Sequence, residues 1–183
     1  MAENVLDFVE ESNGRTMLVN MVRRVFFSFH YERDCWRVSQ VRNIGAIEGN
    51  PAASDNDWHS ITRGGDAAIQ RWIDGQLAGR SCTVVLIGSQ TAGRKWIKYE
   101  IEKSWIDGKG LVGIYIHRLK VPNQSLTEPK GSNPFAAFSV NGTSLSNVAK
   151  AYDPGTNSKS AYEWIADNLS AAIDEAISIR KRY

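Results

Sequence analysis

The chain has 183 residues, with 22 lysines and arginines against 20 aspartates and glutamates, for a formal net charge of +2. That balance is too small to drive binding to nucleic acid or an anionic membrane, and the basic Arg180-Lys181-Arg182 end complements a helix dipole instead. A 42% hydrophobic and 23% charged composition is that of a globular domain with one sizeable core. The first residues lack the basic-then-apolar order of a secretory signal, and no apolar run approaches membrane-spanning length. Cys35 and Cys82 show no CxxC spacing, so a reduced, cytoplasmic protein is expected.

Residues 1–20 are acidic and mildly amphipathic and read as an N-terminal extension, leaving residues 21–183 as a single domain. Residues 24–29, Arg-Val-Phe-Phe-Ser-Phe, form a short run of β-formers with the character of a buried parallel strand. His30-Tyr31-Glu32-Arg33-Asp34 follows as its exit loop. A helix is predicted from about residue 34 to 43, with Trp36, Val38 and Val41 available for packing. Residues 43–62 carry only loop signals. Helical spacing of Ala67, Ile69, Ile73 and Leu77, closed by Gly79, predicts the next helix over 66–77.

Residues 82–87 are the second clear strand, 94–107 a helix closed by Gly108, and 111–116 the third strand. Residues 119–134 read as a loop, and the pattern up to residue 159 selects no element. A final helix is predicted over 160–179, with Ser160 as its cap, Glu163 at the capping-box position and an apolar stripe through Trp164, Ile165, Leu169, Ile173 and Ile177. Strands alternating with helices imply an α/β protein, a doubly wound parallel sheet with helices on both faces.

Several chemistries are excluded by missing motifs. No GxGxxG follows the first strand, and no GxxxxGK[ST] occurs anywhere. Gly88-Ser89-Gln90 is not a nucleophile elbow, and His30, His59 and His117 share no metal-ligand spacing, so no metal is expected. What remains is a carboxylate with aromatic and polar residues at strand ends. Glu100 stands one helical turn after Trp96, between Ile97 and Ile101, beside the turn that empties the second strand. Open α/β sheets put ligand crevices at such strand ends. The competing reading is an exposed Glu100 paired with Lys95 or Lys103.

Arg-Val-Phe-Phe-Ser-Phe-His-Tyr, then Val-Leu-Ile-Gly-Ser-Gln-Thr and Trp-Ile-Lys-Tyr-Glu-Ile, resemble in order and spacing the bacterial TIR-like family, specifically the stand-alone TIR-like signalling subunit of Thoeris anti-phage systems. The resemblance covers roughly residues 22–119, with a weaker echo at Gly131-Ser132-Asn133-Pro134-Phe135. It implies a flavodoxin-like fold and cleavage of the nicotinamide–ribose bond of NAD⁺, which is substrate rather than cofactor. It also implies a cyclic or conjugated ADP-ribose messenger that activates a separate effector protein, a phage-derived trigger, and self-association on activation. The family's glutamate falls on Glu100 and its first-strand loop on Ser28, Phe29, His30 and Tyr31. Trp96, Ser89 and Asn133 complete the expected substrate contacts. A non-catalytic TIR-like interaction module stays open as the alternative, as does an unrelated flavodoxin-like protein, although Phe29-His30-Tyr31 lacks the acidic cluster of a receiver.

Overall fold

The computed structural model describes residues 23–44, 47–49, 60–121 and 127–183. The predicted extension 1–20, and most of the predicted loop 43–62, lie outside the described residues.

A parallel five-stranded sheet runs in the order β2-β1-β3-β4-β7. Its strands are β1 (Arg23–Ser28), β2 (Ile47–Glu48), β3 (Cys82–Ile87), β4 (Gly110–Tyr115) and β7 (Ala151–Tyr152). Every residue of β3 and β4 is buried, as their unbroken apolar character requires of strands covered on both faces. Alternation along β1 divides the core. Val25 and Phe27 face α1 (Tyr31–Arg42) and the long α4 (Ser158–Arg180). Phe26 faces α2 (Gly65–Leu77), where Ile69, Ile73 and Leu77 pack on it. On that same side Ile97 and Ile101 of α3 (Lys95–Ile106) pack on Val85 and Ile87. Each fully buried aliphatic side chain contributes roughly 1.5–3 kcal/mol. The close fit is clearest at Gly110, where a Cβ would stand 2.7 Å from the Ile177 backbone nitrogen of α4.

The predicted strands and helices recur with shifted ends, and four expectations change. First, α1 begins at Tyr31, with extended His30 as its N-cap residue and Glu32 and Asp34 in a first turn that favours acids. Trp36 is 60% exposed, because the buried stripe of α1 runs through Asp34, Arg37, Val38 and Val41. Two residues beyond Asp34, a side chain points about 200° away from it. Second, the span read as loop holds β2, whose Ile47 and Glu48 pair with Arg23 and Arg24. Third, α4 starts a turn earlier than expected. Asn157 is its cap and Ser160 stands at the third helical position, the two closing a reciprocal capping box. Fourth, the unassigned stretch contains a hairpin, β5 (Ser139–Val140) and β6 (Thr143–Ser144), flanked by 3-10 turns at Pro134–Ala137 and Leu145–Asn147.

Candidate active site

The strand order reverses between β1 and β3, so their carboxyl ends form the topological switch point. Ser28 closes β1 on the α2/α3 side of the sheet, and Glu100 reaches it from the second turn of α3. The Ser28 hydroxyl donates to Glu100 Oε2 at 2.5 Å. Glu100 is 7% exposed, and burial pushes its carboxyl up to about 8, partly opposed by the Ser28 hydrogen bond. The exposed ion pair is therefore not formed. Lys95 pairs with Asp66 and Lys103 with Asp107.

The backbone beneath Glu100 is tied down as well. Ser104 Oγ donates to the Glu100 carbonyl at 2.6 Å, and Thr83 Oγ1 lies 2.6 Å from Ser104 Oγ. With the Ser104 proton committed to the carbonyl, Thr83 donates to Ser104. Thr83 belongs to β3, so this chain of two hydroxyls stitches the Glu100 turn to the sheet. Both side chains are fully buried.

Of the remaining expected site residues, His30, Phe29, Tyr31 and Trp96 fall in three places. His30 lies at the mouth between β1 and α1, 9% exposed, with a buried Nδ1 that has no hydrogen-bond partner among the described residues. Burial and then Arg94 lower its proton affinity, so the ring is neutral at pH 7. Phe29 packs instead on the α1 side of the sheet, away from Ser28, with the Arg42 guanidinium 5.4 Å over its ring and Tyr31 at 6.1 Å. Trp96 is half-buried against the cluster of Phe26, Ile69 and Ile73, edge-on to Tyr99 and capped by Lys95.

Ser89 and Asn133 have structural partners already. The Ser89 hydroxyl donates to Glu128 Oε2 at 2.7 Å, and its amide donates to Oε1 at 3.3 Å. Asn133 Oδ1 accepts from the Phe135 amide at 2.9 Å, capping the 3-10 turn. Asn133→Ala should cost about 1 kcal/mol of stability, the usual worth of such a cap. Denaturant midpoints together with KM test this: an unchanged KM leaves Asn133 as a cap alone, and a raised KM adds a substrate contact.

Sequence reasoning passed over the residues that support this face: Thr83, Ser104, Asp34, Arg37 and Glu128. Asp34 and Arg37 carried a signal, an acid and a base three apart on the face of α1 that also holds Val38 and Val41. Glu128 carried none. Among the described residues no group of three or more His, Cys, Asp or Glu side chains is gathered to hold a metal. No helix there is long and apolar enough to cross a membrane. Both cysteines are free, and Cys82 is buried with its thiol pushed up by that burial.

Comparison with known proteins agrees with this architecture. A Bacillus cereus (strain MSX-D12) protein named "Putative cyclic ADP-D-ribose synthase ThsB1" is 41% identical over 120 residues. That match covers 63% of this chain and 62% of the relative's length. Residues 26–121, more than half of the chain, match the family model described as Thoeris protein ThsB, TIR-like domain. That stretch holds the strand-end serine and the helix-borne glutamate that it meets, and the parallel α/β sheet around them is of the TIR-like, flavodoxin-like kind: the chain belongs to the Thoeris ThsB TIR-like family.

Proposed function

We propose that this protein cleaves the nicotinamide–ribose bond of NAD⁺ and closes the ADP-ribose onto itself, releasing nicotinamide and a cyclic ADP-ribose. One observation carries the reading: a buried glutamate, fixed by a strand-end serine at the switch point, in a chain whose relative is named a cyclic ADP-D-ribose synthase. Departure of nicotinamide leaves positive charge on the ribose, and a fixed carboxylate beside that sugar stabilises it. At rest Glu100 is largely protonated at pH 7, because burial holds its carboxyl near 8. The cationic nicotinamide ring of bound NAD⁺ favours the carboxylate, so substrate itself draws the acid into its working form. Attack by an adenine nitrogen in place of water then gives the cyclic product. The cyclic nucleotide acts as a diffusible signal to a separate effector in the cytoplasm, with a phage-derived trigger and self-association as the activating events.

The test is direct. Purified protein with NAD⁺, alone and with lysate of phage-infected cells, should release nicotinamide together with a product lighter than ADP-ribose by one water in the mass spectrum. Release of linear ADP-ribose would replace cyclase by hydrolase. Absence of turnover under every condition would favour the interaction-module reading. Ser28→Ala removes the hydrogen bond that opposes protonation of Glu100, so its carboxyl should move further up. The rising limb of kcat/KM against pH should therefore shift to the alkaline side in that variant; an unmoved limb would mean that Glu100 ionisation does not govern the rate.

A further inference from the structure

Behind the strand-end face lies a second buried acidic group that the proposed chemistry does not use. Asp34 is 1% exposed on α1, and its carboxyl shares the Arg37 guanidinium with that of Glu128, from the segment after β4. Arg37 Nη1 stands 3.3 Å from Asp34 Oδ1 and 3.3 Å from Glu128 Oε1, while its Nε donates to the Leu119 carbonyl at 2.9 Å. Glu128 in turn accepts both the hydroxyl and the amide of Ser89, and its own amide donates to the His117 carbonyl at 3.0 Å. Four pieces of chain therefore meet at two carboxyls. The backbone leaves no slack around them: a Cβ at Gly88 would overlap the Asp34 carboxyl, and one at Gly131 would overlap the Gly88 carbonyl oxygen.

Charge counting shows what this cluster needs. Two ionised carboxyls have one buried guanidinium, Arg37, between them, and the second cation in reach, Arg33, is half-exposed and screened by water, so one shared proton is what makes the buried part of the group neutral. The pair is faced from α1 by Arg37 and by Arg33, whose Nη2 is 3.8 Å from Glu128 Oε2 on a half-exposed side chain. His30 faces it from the α1 cap and His117 from the end of β4; both are held below the usual histidine range by burial, so neither supplies the missing charge at pH 7. The turn after β3 offers only the Ser89 donors and Arg94, which acts on His30.

We propose that the Asp34–Glu128–Arg37 cluster is the positioning device of the strand-end face, clamping the Gly88–Ser89 turn and the segment around Glu128 onto α1, and that it clamps only while the two carboxyls share one proton. Burial and the adjacent Glu128 raise Asp34 to about 7, and the Ser89 and Arg37 contacts hold Glu128 low. The raised partner is the one that loses its proton near neutrality, so the clamp is complete below that range and opens as pH rises through it. The catalytic half of this inference rests on the NAD⁺ reading, but the clamp itself does not.

Hydrogen exchange of the Ser89 amide, which donates to Glu128, reads the clamp without any activity. In the wild type its protection factor should fall about tenfold between about pH 6 and 8.5, the worth of one charge-assisted hydrogen bond. Asp34→Asn keeps a donor toward Glu128 but has no proton to lose, so its protection should not change with pH. Asp34→Ala should be poorly protected throughout and lower kcat/KM for NAD⁺ by about tenfold, and Asp34→Asn should restore both. If Asp34→Ala does not fold, the comparison of wild type with Asp34→Asn carries the test. Equal pH dependence in those two proteins overturns the shared proton, and an Asp34→Ala protein with wild-type kcat/KM overturns the positioning role. Exchange behaving as expected in a protein that never cleaves NAD⁺ upholds the clamp and removes the NAD⁺ reading instead.

Discussion

Glu100→Gln should abolish NAD⁺ cleavage and at the same time make the protein more resistant to heat at alkaline pH. On the proposed NAD⁺ reading the loss of turnover follows from removing the carboxylate that Glu100 would set against the developing positive charge, worth about 100-fold or more in rate. The gain in stability follows from burial. The folded-state carboxyl is raised from 4.5 to about 8, so the protonated form is the one the fold favours. That contribution is complete below the unfolded value and is lost as pH climbs through the folded one, where wild type must bury a charge. Glutamine never ionises and can still accept the Ser28 hydrogen bond. Each unit of displaced proton affinity is worth about 1.4 kcal/mol, and each kcal/mol moves a melting midpoint of a domain this size by about 2–4 °C. The midpoints of the two proteins should therefore nearly coincide at acidic pH and separate by roughly 5 °C or more at about pH 8.5. Turnover in the variant would remove Glu100 from the mechanism. Parallel melting curves at every pH would show that the carboxyl is not desolvated.

Phe135→Ala should be the most damaging single truncation on the α3 side of the sheet. Phe135 is 0% exposed and packs among Ile87, Tyr115, Leu145 and Val148. It fits over Gly113, where an added Cβ would come within 3.2 Å of its ring. Emptying such a site costs about 3–5 kcal/mol, so the melting midpoint should fall by roughly 10 °C. The effect should extend to the strand-end face, since Phe135 anchors the same short segment whose Gly131 abuts the Gly88 carbonyl. Phe135→Leu, which refills most of the volume, should recover the larger part of the loss. A truncation costing under about 1 kcal/mol would mean that the site collapses around the missing ring.

Sequence pattern is most informative where burial is two-sided or periodic. The limits of β3 follow from its apolar run, and α2 and α3 are set by spacing and by the Gly79 and Gly108 stops. It is uninformative where an element is short or a partner is distant. Val140-Asn141-Gly142-Thr143 is a strong hairpin signal, and Asn141 and Gly142 do take positive φ of 50° and 78°, but the flanking strands are only two residues each and show no alternation to notice. The start of α4 was misplaced because both Asn157 and Ser160 are good caps, and only the reciprocal bonds between them decide which one is outside the helix. In the candidate site, Glu100 was legible from its position beside Trp96 and the strand-end turn. Its restraints were not: Thr83 and Ser104 are ordinary small polar residues until their hydroxyls are seen to meet. Glu128 lies in a loop with no period, so nothing in the local sequence indicates that its carboxyl is enclosed.

The bond between Ser28 and Glu100 closes 72 residues of chain, and the bond between Ser89 and Glu128 closes another 39. The first cannot exist until the chain has been made past residue 100, nor the second until it has been made past residue 128. During synthesis β1 must wait in the open until β3 pairs beside it and α3 folds down, and the loop-closure entropy of that wait has to be met before any of the later contacts repay it. Until then Glu100 is an ordinary solvated acid with ordinary proton affinity. Glu100 thus acquires its raised proton affinity only once β1, β3 and α3 are together, and a chain that stops short of α3 has no such group.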